Sequence, residues 1–177
     1  MFEAILNLFR KRSLKKYSSD VPTGIIPVEK LRSAVTFIDV EDTSFDECKH
    51  LIQAFYRDND IKGEIFFFDF RKLGEGERLI TSITNTILKK DLGWFGKPDQ
   101  EKIDRMLDGS PDLFISLIAK DDFPIDFMAK CSTAKFKIGR RQLPGNTFDL
   151  VVSDSPEKPC SEAEVFREMT RLLKKVK

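Results

Sequence analysis

The chain has one histidine, His50, and three cysteines, Cys48, Cys131 and Cys160, spaced too widely for a CxxC pair. That leaves too few soft ligands for a zinc site, and an odd, scattered set of thiols makes no disulfide framework. No serine or cysteine has a recognisable base beside it, so triad-type nucleophilic catalysis has no motif to rest on. The glycine-rich candidate Leu73-Gly74-Glu75-Gly76-Glu77 lacks a third glycine and a GK(S/T) ending, and its two glutamates would repel a phosphate. No apolar run approaches the roughly 18 residues of a membrane span. The first apolar residues (Phe2, Ile5, Leu6, Leu8, Phe9) precede a basic cluster, the reverse of a secretory signal. Cytoplasmic residence is the expectation.

What is present fits one globular domain. The 177 residues are 41% hydrophobic and 33% charged, enough to bury a core without staples, and 16 Phe against 2 Tyr and 1 Trp predict a Phe-rich interior. The formal charge of +1 gives no global field to draw nucleic acid. It is unevenly spread: residues 1–17 carry Arg10, Lys11, Arg12, Lys15 and Lys16 against Glu3 alone, a local +4, so the rest sums to −3.

The order of elements predicts an α/β fold. Phe2, Ile5, Leu6 and Phe9 share one side of a short amphipathic helix whose basic end suits the negative pole of the helix dipole. Residues 18–32, with Pro22, Gly24 and Pro27, read as a linker. Residues 1–32 thus form a helical arm and linker, and 33–177 a single α/β domain. In that domain Ala34–Val40 reads as a strand. Ser44 and Glu47 form a capping box before a helix carrying Phe45, Cys48, Leu51, Ile52 and Phe55. Glu64–Phe70 is a second strand, followed by a Gly74–Gly76 turn and a helix with Leu79, Ile80, Ile83 and Ile87 inward. A short helix near 99–108, a buried strand at Leu113–Ala119 and a helix opened by Pro124 come next. Phe136–Ile138 and Phe148–Ser153 are joined by the turn Pro144-Gly145-Asn146, which leaves room for one antiparallel edge pair. Ser161 and Glu164 cap a terminal helix. The expected architecture is a three-layer open sheet of about five mostly parallel strands with helices on both faces, plus the N-terminal arm.

In such a sheet ligands sit outside the carboxyl ends of the strands, where this chain places Asp39, Glu41, Asp42, Asp69, Asp121, Asp122 and Asp154. One reading is a Mg²⁺-dependent phosphoryl-transfer or hydrolytic enzyme, with Asp39 as nucleophile or metal ligand and Asp121 or Asp122 as a second ligand. Asp39, Glu41 and Thr43 resemble the DxDx(T/V) motif of the haloacid-dehalogenase phosphotransferases, and Asp121 with Asp122 resembles their second acidic pair. Glu41 stands where that family has an aspartate, and its lysine has no assigned counterpart. The plainer reading makes Asp42, Asp121 and Asp122 turn formers and helix caps, which needs no cofactor. Lys135–Arg141 (KFKIGRR) gathers Lys135, Lys137, Arg140 and Arg141 at the end of a short strand, with Arg140 and Arg141 the foremost candidates for a bound phosphate or carboxylate, or else part of a solvated edge strand. Trp94 and Lys97, in the loop Leu92-Gly93-Trp94-Phe95-Gly96-Lys97-Pro98, are candidate ligand contacts, or else part of an apolar plug.

That loop, with Asp122 through Arg140 (DFPIDFMAKCSTAKFKIGR), resembles a family of small Bacteroidota proteins with no assigned function. The resemblance covers nearly the whole chain. It implies a cytoplasmic bacterial protein of compact α/β form and carries no catalytic residue across. The leading expectation is a non-enzymatic ligand-binding or protein-interaction module, whose arm would contact a partner chain, a second copy or a membrane surface.

Overall fold

The computed structural model describes residues 1–177 and is built on one six-stranded sheet. β1 (Ser33–Asp39), β2 (Lys62–Asp69), β3 (Thr86–Leu88), β4 (Leu113–Ser116), β5 (Phe136–Gly139) and β6 (Leu150–Val151) lie in the order β3-β2-β1-β4-β5-β6. Every neighbouring pair is parallel. The strands alternate: Ile38 and Phe67 join one core, Phe37, Phe66 and Phe68 the other. On the first face pack α2 (Phe45–Asp58) and α5 (Glu162–Leu173), through Cys48, Ile52, Phe55, Phe166 and Met169. On the second lie α3 (Gln100–Met106) and α4 (Phe123–Cys131), through Ile103, Met106, Phe127 and Met128. The arm helix α1 (Phe2–Tyr17) packs on α4, with Tyr17 edge-on to Phe127 at 6.0 Å.

The α/β class and the two helical layers agree with the pattern of the sequence, but three local expectations are corrected. The helix expected to carry Leu79, Ile80, Ile83 and Ile87 does not form; residues 83–85 make one 3-10 turn and 86–88 become β3, which brings the count to six strands. Ile80 and Ile83 are more than half exposed, so no inward apolar face exists there. Thr86 and Ile87 are fully buried and continue the ladder beside Phe67 and Phe68, where β-branched side chains fit. The antiparallel edge pair is also absent. Residues 140–149 make no hairpin, because Leu143 and Phe148 are buried in the α4-side core, and the chain crosses that face before pairing parallel with β5. Finally, Ser44 does not cap its own helix. Its hydroxyl instead accepts the Ala163 N–H at 3.0 Å, and Asp42 accepts the Glu162 N–H, so the loop after β1 caps α5. The box between Ser161 and Glu164 forms as expected.

One close approach fixes how α2 seats on β2. The Tyr56 hydroxyl is hydrogen-bonded to Thr36 Oγ1 at 2.6 Å, and its ring covers Gly63 so closely that a Cβ there would come within 2.2 Å of it. We expect Gly63→Ala to cost about 1–3 kcal/mol by overpacking. A urea unfolding midpoint equal to that of the parent would refute this account of the contact.

Candidate functional site

The strand order reverses between β1 and β4, and a crevice of about 450 Å³ opens at their carboxyl ends. Its walls are the loop after β1 (Asp39, Glu41, Asp42), Lys120 after β4, Arg140 after β5, Asp154 after β6 and the start of α5. These charges are largely matched to one another. Lys120 Nζ bridges Asp39 Oδ2 at 2.7 Å and Glu41 Oε2 at 3.0 Å. Arg140 donates from Nε and Nη2 to the two Asp154 oxygens at 2.8 and 2.6 Å, and this pairing holds the Asp154 carboxyl below its usual range. Its remaining donors reach the carbonyls of Leu117 and Cys160. Asp42 accepts the Ser44 N–H and hydroxyl at 2.9 and 2.6 Å and the first N–H of α5 at 3.3 Å.

Glu162, the first residue of α5, is 1% exposed and accepts the Asp39 N–H at 3.0 and 3.2 Å. Burial drives its carboxyl well above the ordinary range; the Asp39 N–H works against that shift, and the charges of Asp42 and Asp39 add to it. No motif marked Glu162 or Lys120 beforehand. Their roles come from burial and from partners 79 to 123 residues away.

The other residues singled out from the sequence are distributed as follows. Asp154 and Arg140 share the crevice with Asp39, whereas Asp121 and Asp122 are not on its walls. Asp121 is 87% exposed and lies 3.5 Å from Arg141, and Asp122 is the N-cap residue of α4. Arg141 is bonded mainly to Asp126 at 2.5 Å. Asp69, with its carboxylate nearly fully buried, pairs with Arg71 at 2.7 Å, which lowers its pKa. His50 is exposed on α2. No three His, Cys, Asp or Glu side chains form a group that could hold a metal ion.

Trp94 and Lys97 belong to a different surface, the one built by α1. The second half of that helix is fastened down: Arg10 Nε donates to the Phe95 carbonyl at 2.8 Å, its guanidinium lies over the Phe123 ring, Ser13 is buried, and Lys97 sits over Tyr17. The first half is not covered. Phe2 is 66% exposed, Ile5 43% and Leu8 50%, and Phe9 meets the 58% exposed Trp94 edge-on at 4.8 Å. Lys11, Arg12, Lys15 and Lys16 are all exposed beside this face, and none has a carboxylate partner.

The model of a family of unknown function (DUF6913) matches residues 3–176, and the chain belongs to that family. No curated protein and no solved structure matches it.

Glu162 yields a stability test. The folded protein keeps its proton to a higher pH than the unfolded chain does, so this group favours folding below the ordinary carboxylate range and loses that contribution as pH rises through its raised pKa. Glu162→Gln keeps an oxygen for the Asp39 N–H and removes the titration. We expect it to melt about 4 °C above the parent at a pH near 8, and with little difference at a pH near 5. A loss of stability that is equal at both values would contradict the assignment.

Proposed function

We propose that the protein is a non-enzymatic, Rossmann-like module that docks on an anionic membrane surface through α1. The observation that carries this reading is the pairing of an uncovered apolar half-helix (Phe2, Ile5, Leu8, Phe9, with Trp94) with four unpaired cations in the following turns. Phe2, Ile5, Leu8 and Phe9 fall toward one side of α1 and Glu3 toward the other, the arrangement of a helix that lies in the interface with its apolar face about 5–10 Å below the headgroups. With that face immersed, Lys11, Arg12, Lys15 and Lys16 reach the headgroup layer, and Trp94 lies at the boundary that aromatic rings favour. A second copy fits less well, because a two-fold contact through this face would set two groups of four cations together. No helix is long and apolar enough to cross a membrane.

The strand order 3-2-1-4-5-6 supports the Rossmann-like description. Cytoplasmic residence is supported by three unpaired thiols, two of them buried, and a Bacteroidota source by the resemblance in Leu92–Pro98 and Asp122–Arg140. The geometry weighs against Mg²⁺-dependent chemistry at Asp39, whose Oδ2 is already neutralised by Lys120 while Asp121 points elsewhere.

Vesicle co-sedimentation tests the reading. The chain is expected to bind phosphatidylglycerol-containing vesicles, to ignore pure phosphatidylcholine, and to be released by high salt. Lys11→Gln with Lys15→Gln should weaken binding about thirtyfold, at about 1 kcal/mol per cation, and Ile5→Glu should abolish it with no change in melting temperature. Equal binding to both vesicle types, or none to the anionic ones, would refute it.

A further inference from the structure

A buried lysine on the second face has no anion to pair with. Lys137, in β5, is only 4% exposed, and a lysine so enclosed is ordinarily matched by a carboxylate. Here its ammonium has one acceptor, the Ala129 carbonyl at 3.0 Å, which uses one of its three donors. Asp149, the nearest candidate partner, is committed elsewhere: Oδ2 accepts the Lys137 backbone N–H at 2.8 Å and Oδ1 the Thr23 hydroxyl at 2.7 Å. Burial pulls the Lys137 amine down to about 8.

Lys137 lines a cavity of about 340 Å³, at the lower end of the roughly 300–1,000 Å³ of small-molecule sites. Three pieces of chain meet around it. The linker contributes Ser18 and Thr23, α4 contributes Lys130, and the β5–β6 crossover contributes Asn146 and Thr147. Asp20 is the one acid on its walls, against two amines. The linker is held in place by Ser19 N–H to the Lys130 carbonyl and Gly24 N–H to the Lys135 carbonyl, both 2.9 Å, so the wall is ordered without a ligand. Two lysines with hydroxyls and an amide in a concave, mostly polar site are the donor set that an oxyanion requires.

We propose that this cavity binds a small molecule through a phosphate or carboxylate group held by Lys137 and Lys130. The oxyanion would supply the acceptors that the Lys137 ammonium lacks. The site shares no residue with the membrane-docking face, so either reading can fail without the other.

Thermal shift on the full chain tests it, with inorganic phosphate, glycerol phosphate and acetate at about 10 mM, each against sodium chloride of equal ionic strength. The parent should gain at least about 2 °C from one or more of these, and the pattern separates phosphate from carboxylate recognition. Lys137→Met, which replaces a buried cation with an apolar chain of similar length, should melt no lower than the parent and lose the response. Lys130→Gln, at a partly exposed position, keeps the test decisive if Lys137→Met folds poorly; it should weaken the response about tenfold. No gain beyond chloride in the parent, or an undiminished gain in Lys130→Gln, would overturn the proposal.

Discussion

One guanidinium holds the carboxyl edge of the sheet together. Arg140 leaves the end of β5, donates twice to Asp154 beyond β6, and reaches the carbonyls of Leu117 beyond β4 and Cys160 just before α5. A planar fork with five donors can satisfy four acceptors from three segments at once, which a lysine could not. Because Cys160 is fixed, α5 begins where Asp42 and Ser44 can cap it, and Glu162 is carried under β1 to meet the Asp39 N–H. The crevice at the switch point is therefore built from groups that need one another.

That has a functional consequence. In doubly wound sheets a helix N-terminus at this edge commonly receives the ligand's anion. Here the first N–H groups of α5 are taken by Asp42, Ser44 and Ser161, all from the chain itself. The loop after β1 carries acids where an anion site would need glycines and open N–H groups. The fold keeps the place of a ligand site while its own side chains fill the role of the ligand.

Much of the fold was legible because it rests on local pattern. The run Leu113–Ile118 is apolar at every position but Ser116 because β4 is covered on both faces, and Ser161 with Glu164 marks a helix start through bonds spanning three residues. The failures came where distant packing outweighed local periodicity. Ile80, Ile83 and Ile87 have helical spacing, yet only Ile87 is buried, drawn onto the edge of β2. Pro144-Gly145-Asn146 does make a turn, with Gly145 and Asn146 at positive φ, but burial of Leu143 and Phe148 decides which way the chain leaves it. Among site residues, Asp39 and Asp154 could be found by their place after strands. Glu162 and Lys120 could not, since each is an ordinary charge in sequence and becomes distinctive only through partners far along the chain, and Lys137 stood out only as one cation of the basic run Lys135–Arg141, its burial being invisible there.

The arm and the buried lysine are joined by the linker. Residues 18–24 leave α1 directly, run along α4 by way of the Lys130 carbonyl, and reach the sheet edge through Thr23 and Asp149. α1 itself rests on α4 through Tyr17 and Arg10. An anion drawn between Lys130 and Lys137 would therefore sit against the same helix that carries the arm, and would add contacts to the linker at Ser18 and Thr23. The linker bonds and the contacts of α1 with α4 already hold the arm against the domain without that anion. The exposed half-helix is thus presented from a rigid base, and presentation of an apolar face at fixed orientation lowers the entropic cost of engaging a surface.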